Sequence, residues 1–267
     1  MSFVEKYGPW ALIAGASEGT GACFARKLAA RGLNLVMLAR REPPLAALAA
    51  EIEAEFGVQC VTASIDLSQD GASAKVIEAV DGREIGLFIN NAGSDYNNAN
   101  FLEQTLAGWE ALAQLDVMNV LRNTYYFAGK MRARRRGGII LVGSGACYGG
   151  LSGKAVYSAV KSFDLCLGEA LWAELRHDGV DVLNLILGQT DTPAHRQILA
   201  ELGLPVPANL ASADAVAELG LERLPHGPIC NFGSADDEPG VAPNSPAHRR
   251  ARILAVEKAS QVYTKKN

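Results

Sequence analysis

The stretch Trp10-Ala11-Leu12-Ile13-Ala14-Gly15-Ala16-Ser17-Glu18-Gly19-Thr20-Gly21 carries the reading of the fold. Trp10–Ala14 is a short apolar run of the kind that forms a buried strand. Glycines follow it with the spacing G-x-x-x-G-x-G. Residues 22–31 read as a helix, Gly32 ends it, and residues 33–39 read as a second strand. The unit is therefore strand, glycine turn, helix, strand. A helix N-terminus in that setting offers backbone N–H groups and a positive dipole end, which suit a pyrophosphate. The glycines by themselves also fit a turn that merely lets a helix pack closely on a strand.

The alternation continues outward from this unit. Pro43 or Pro44 opens a helix to about residue 56, and residues 60–65 form a strand that ends at Asp66. A helix over 72–80 leads to a strand reaching Asn90, and one long helix is expected over 109–135. A strand at 138–142, a helix running to about residue 177 and a strand at 182–187 follow. Such alternation argues an α/β protein with a doubly wound parallel sheet and right-handed crossovers. With 267 residues, one domain covering the whole chain is the natural reading. Residues 188–225 break the rhythm with Pro193, Pro205 and Pro207, and 234–244 is rich in breakers. Ser245 and Pro246 then look like the cap and first position of a C-terminal helix over 245–264.

Three further motifs carry chemistry. Tyr157 and Lys161 are four apart on an expected helix, which puts them on one face with Cβ atoms about 5–6 Å apart. A phenol is a poor acid or base at neutral pH, and a neighbouring cation favours its phenolate. Asn90-Asn91-Ala92-Gly93 ends an apolar strand, at the sheet edge where ligands bind in open α/β sheets. Ser144 follows a strand thirteen residues before Tyr157; taken alone, such a serine is a turn residue or helix cap.

With these motifs in this order, residues 8–193 and a last strand near 229–232 resemble the short-chain dehydrogenase/reductase family, in particular its hydroxysteroid dehydrogenase and ketoacyl reductase branch. The resemblance implies a Rossmann fold and an NAD(P)-dependent oxidoreductase that interconverts a secondary alcohol and a ketone. Tyr157 is then the general acid/base, and Ser144 hydrogen-bonds the reacting oxygen. Lys161 acts on the phenol and on the nicotinamide ribose. Gly15, Ser17, Glu18, Gly19, Thr20 and Gly21 hold the pyrophosphate, and Asp66 and Leu67 meet the adenine. Asn91, Ala92 and Gly93 line the groove, and Gly188, Thr190 and Thr192 meet the nicotinamide, although Leu187 replaces the family's proline. Asp116 stands where the family has a catalytic asparagine, with Asn119 as the other candidate. An acid at Asp116 would partly offset the effect of Lys161 on Tyr157. Asp95, Tyr96, Cys147, Tyr148, Gln189 and His195 are candidate substrate residues, and 188–225 is expected to cover the substrate. Fold alone leaves two rivals open: an epimerase or lyase, and a nucleotide sensor without turnover.

Cofactor and partners complete the expectations. The end of the second strand carries Ala39 instead of an acid, followed by Arg40 and Arg41, which suit a 2′-phosphate. NADP is therefore expected over NAD, with Glu18 as a counter-signal. The Phe163, Leu167, Leu171, Leu175 stripe and the family resemblance imply a homodimer or homotetramer. A net charge of −4 gives no support for nucleic-acid or membrane binding. The basic group Arg132, Arg134, Arg135 and Arg136 fits the end of a helix. Five unpatterned cysteines argue against disulfides or a metal, and Glu5, Lys6 and Pro9 leave no visible signal peptide. A cytoplasmic protein acting on a small ketone or alcohol is the expectation.

Overall fold

The computed structural model describes residues 1–93, 99–150, 153–201, 203, 205–232, 247, 250, 251 and 254. In chain order, the first elements are α1 (Phe3–Tyr7), β1 (Trp10–Ala14), α2 (Gly19–Ala30), β2 (Asn34–Ala39), α3 (Glu42–Phe56) and β3 (Cys60–Ser64). Next come α4 (Ala72–Val80), β4 (Ile85–Asn90), α5 (Leu106–Ala113), α6 (Asn119–Ala133), β5 (Gly137–Ser144) and α7 (Ala155–Leu175). The chain continues with β6 (Val180–Leu187), β7 (Thr190–Asp191), α8 (Pro193–Glu201), β8 (Ala211–Ser212), α9 (Ala213–Arg223) and β9 (Ile229–Asn231). Among the described residues, seven strands form one parallel sheet in the order β3-β2-β1-β4-β5-β6-β9. The order reverses between β1 and β4, so a crevice opens at their carboxyl ends.

Both faces of the sheet are covered, and the period-2 alternation of the strands divides the core accordingly. Ala11 and Ile13 of β1 join the cluster formed with α2, α3 and α9. Leu12 and Ala14 join the cluster formed with α4, α6 and α7. Local chemistry fixes the helix ends. Pro43 and Pro44 lie in the first turn of α3, and Gly57 closes it in the left-handed region at φ 68°. Ser212 caps α9 by accepting from the Ala215 N–H at 3.4 Å.

Three expectations change in the structure. The long helix expected over 109–135 is two helices, α5 and α6, joined by a π-helical turn at Gln114–Met118. There the Asn119 N–H reaches the Gln114 carbonyl, an i→i−5 bond that inserts an extra residue into the turn. Residues 188–225 divide in two. The part from Gly188 to Ile198 overhangs the crevice, whereas Val216, Ala217 and Leu221 of α9 are core residues against the sheet. Pro193 opens α8 instead of breaking it, because proline fits the first helical position. The expected C-terminal helix over 245–264 lies almost wholly outside the described residues. The basic group at the end of α6 is held by counter-charges. Arg132 and Arg135 pair with Asp178, and Arg134 and Arg136 with Glu84. Among the described residues, no helix is long and apolar enough to cross a membrane.

Candidate active site

The glycine turn is built for close approach. Gly15 and Gly19 have φ of +79° and +56°, where a side chain is disfavoured. A Cβ at Gly21 would lie 1.9 Å from the Gly15 carbonyl oxygen. Asn91, just past β4, donates its side-chain N–H to that same oxygen at 2.8 Å. The turn, the start of α2 and the end of β4 are thus in direct contact. Glu18 precedes α2 without capping it by its side chain, so the first N–H groups of the helix remain available to a ligand.

One cavity of about 760 Å³ runs along this crevice. Gly15, Ser17, Glu18, Gly19 and Thr20 line it from the glycine turn, and Arg40, Arg41, Asp66 and Leu67 from the ends of β2 and β3. Asn91, Ala92 and Gly93 line it after β4, Ser144 at the end of β5 and Tyr157 from α7. Gly188, Gln189, Thr190, Thr192 and His195 close it from the overhanging segment. Thr192 rests on the turn, since a Cβ at Gly19 would meet its methyl at 3.0 Å. Its hydroxyl oxygen accepts from the His195 N–H at 3.2 Å. Ser144 both lines the cavity and caps a 3₁₀ turn, accepting from the Ala146 N–H at 3.3 Å. Asp66 accepts from the backbone and side chain of Ser68 and from Gln69. Burial raises its pKa, but these hydrogen bonds and nearby Arg40 hold the carboxyl below its ordinary value. Arg41 pairs with Glu18 at 2.7 Å.

Lys161 lies behind Tyr157, with its nitrogen 5.9 Å from the ring centre. The nitrogen donates to Asp116 Oδ1 at 2.7 Å and to Asp164 Oδ2 at 3.2 Å. All three side chains are at most 2% exposed. Burial disfavours the ammonium, yet Asp116, Asp164 and Tyr157 outweigh it and raise the lysine above its ordinary pKa. Burial raises the Asp164 carboxyl to about 6; Asp116 adds to this and Lys161 opposes it. Gly93 sits against the pair, at φ +147°, with room for no side chain: a Cβ would fall 2.2 Å from Asp116 Oδ1. The π turn separates the two candidates for the asparagine position. Asp116 faces Lys161, whereas Asn119 donates to the Leu67 carbonyl and accepts from Ser73 and Asn123.

Two expected substrate residues stand away from the cavity. The 3₁₀ turn at Gly145–Tyr148 points the Cys147 side chain inward, where it packs with Leu165, Ile186 and Ile229. Tyr148 packs on the same cluster and donates to Asn231 at 2.6 Å. Asp95 and Tyr96 lie outside the described residues. Asp164 had not been anticipated. Its signal in the sequence was an acid three residues after Lys161, between Phe163 and Leu165, on the buried side of a helix. The stripe Phe163, Leu167, Leu171 and Leu175 packs against the sheet core of its own subunit, and its first three members are half-buried.

Comparisons with known proteins identify the family. The family profile described as short chain dehydrogenase matches residues 9–203. A 7beta-hydroxysteroid dehydrogenase of Collinsella aerofaciens is 35% identical over 194 residues, which cover 73% of each chain. A very-long-chain 3-oxoacyl-CoA reductase of Neurospora crassa is 34% identical over 221 residues, covering 81% of this chain and 66% of that one. A solved 7beta-hydroxysteroid dehydrogenase structure superposes with a TM-score of 0.82 at 28% identity, over 95% of this chain and 100% of the other. A short-chain dehydrogenase from Sphingobium yanoikuyae, solved in complex with NADPH, gives 0.76 at 28% identity over 97% of both chains. The chain belongs to the short-chain dehydrogenase family and is an oxidoreductase of that class.

The raised Asp164 carboxyl has a consequence for stability. Between its unfolded value of 3.8 and about 6, the folded state holds this proton more tightly than the unfolded chain does. Stability from this group is therefore lost as pH rises through that window. Relative to Asp164→Asn, the wild type is expected to lose on the order of a few kcal/mol between about pH 4 and 6. Urea unfolding of both proteins across that range checks it; a difference constant with pH would contradict it.

Proposed function

We propose that this protein is an NADP-preferring dehydrogenase/reductase that interconverts a secondary alcohol and a ketone, with Tyr157 as its general acid/base. The observation that carries the reading is the opening of Tyr157 and Ser144 into the same cavity as the glycine turn, with a buried ammonium behind the phenol. The residues fit a dinucleotide: the turn has no room for side chains, and the helix behind it starts without a side-chain cap. Gly15, Ser17, Gly19 and Thr20 would hold its pyrophosphate, and Asp66 and Leu67 its adenine. Asn91, Ala92, Gly188, Thr190 and Thr192 would line its path. When bound, the nicotinamide supplies or accepts the hydride.

In reduction, negative charge builds on the carbonyl oxygen. Ser144 donates a hydrogen bond to that oxygen, and the Tyr157 hydroxyl donates its proton to it. In oxidation the phenolate takes the proton from the alcohol. Lys161 favours the phenolate by its charge and offers a remaining N–H to the ribose. Asp116 holds Lys161 in place and reduces that charge effect. Gln189 and His195 flank the substrate end. The named activities of the hydroxysteroid dehydrogenase and 3-oxoacyl-CoA reductase relatives support a bulky or long apolar ketone with a polar end.

Tyr157→Phe is expected to bind NADPH as the parent does and to lose about 10²–10⁴-fold in turnover. Steady-state NADPH consumption over a panel of ketones measures this, and parental turnover in the variant would remove Tyr157 from the role. The same assay separates the rival readings. Binding without turnover marks a sensor, and product without net cofactor change marks an epimerase or lyase.

Ala39, Arg40 and Arg41 support the NADP preference, as does the NADPH complex of the Sphingobium yanoikuyae relative. Arg41 would exchange Glu18 for the 2′-phosphate. NADPH is expected to bind about tenfold or more tightly than NADH. Fluorescence titration of both decides it, with tighter NADH binding as the contrary result. We also propose a homodimer or homotetramer, in which α6 and α7 meet their copies; Leu121 and Tyr125 of α6 are 39% and 83% exposed. Sedimentation at micromolar concentration should give two or four chains, and a single chain would refute the assembly.

A further inference from the structure

Lys161 is gripped by two carboxylates. Asp116 reaches it from the π turn, and Asp164 reaches it from α7 itself, one helical turn along. Asp164 is 1% exposed, and its Oδ1 has no partner among the described residues. A buried carboxylate costs stability, and a half-satisfied one costs more. Asp116 alone already neutralises Lys161, so an uncharged side chain at this place would burden folding less. What a carboxylate does here that an apolar group does not is act on the charge and the donors of Lys161.

An ammonium has three N–H donors. Asp116 and Asp164 take two of them, which leaves one. Two carboxylates against one ammonium leave the cluster with net negative charge once all three are ionised. The charged and titratable groups that face it are Asp116 from the π turn and Tyr157 from α7, with the Lys154 nitrogen 5.7 Å from the centre of the tyrosine ring. Above about pH 6 the Asp164 carboxyl is ionised, so its charge is present where a phenol titrates.

We propose that Asp164 is a positioning residue for the reaction: by occupying one donor of Lys161 and offsetting its charge, it lets Tyr157 keep its proton and biases the site toward ketone reduction. The inference rests on the oxidoreductase reading given under Proposed function. Asp164 does not line the cavity; it acts through its hydrogen bond with Lys161 and through its charge.

Ultraviolet titration of the Tyr157 phenol in the full-length protein tests this, with the matching Tyr157→Phe protein subtracted as background. Wild type is compared with Asp164→Asn and Asp164→Leu. Tyr157 and Asp164 are two helical turns apart, about 10 Å along the axis. Across that separation, loss of the charge should lower the phenol midpoint by roughly one pH unit in both variants. The rising limb of the oxidative pH–rate profile should move with it. An unmoved midpoint in a folded variant that still turns over ketone overturns the role of Asp164 and leaves the oxidoreductase reading intact. A wild type without any ketone turnover overturns that reading, and the role of Asp164 with it. Loss of folding in both variants would make Asp164 a structural residue and equally overturn the proposal.

Discussion

The site is organised around one ammonium taken out of water. Lys161 is 1% exposed, and a buried charge of this kind costs several kcal/mol unless it is paired. Its partners come from two backbone elements. Asp164 needs only the periodicity of α7, but Asp116 needs the π turn between α5 and α6 to bring it across. The loop after β4 must then pass so close that Gly93 has no space for a Cβ. A helix register, a helical irregularity and a glycine conformation are thus all consequences of stabilising one side chain. Removing both carboxylates would leave Lys161 as an uncompensated buried charge, the situation in which such clusters are most costly.

The second constraint is the meeting of backbones at the crevice. The Gly15 carbonyl accepts from Asn91, and Gly21 lies where any side chain would strike that carbonyl. The start of α8 leans on the same place through Thr192. The overhanging segment is therefore in contact with the glycine turn itself.

Most of the sheet was legible because each strand is an apolar run bounded by a breaker, and both sheet faces are buried. The nearness of the glycine turn, Ser144 and Tyr157 around one cavity, with Lys161 behind the phenol, was legible from the order and spacing of the motifs. The π turn was not. Residues 109–133 carry no proline, and a helix pattern does not reveal one extra residue in a turn. α9 was hidden in a proline-rich stretch whose helix begins only after Pro205 and Pro207, at the Ser212 cap. Cys147 was misplaced because proximity to Ser144 in the chain does not say which way a 3₁₀ turn points a side chain. Asp164 went unnoticed because the apolar stripe beside it drew the reading toward packing.

The segment from Asp116 to Asn119 is buried at both ends and holds two other parts of the site. At one end it grips Lys161; at the other, Asn119 donates to the carbonyl of Leu67 on the loop after β3. The two contacts are three residues apart on a continuous helical backbone, so their separation is set by covalent geometry. The π turn works as a caliper, with one jaw on the lysine behind Tyr157 and the other on Leu67 in the lining of the groove. The gauge of the groove is thereby tied to the seat of the lysine. Deleting one residue from the turn would restore an ordinary helix and rotate one jaw away from its hold. A shift of the Leu67 wall would then be felt at Lys161, which does not itself line the cavity.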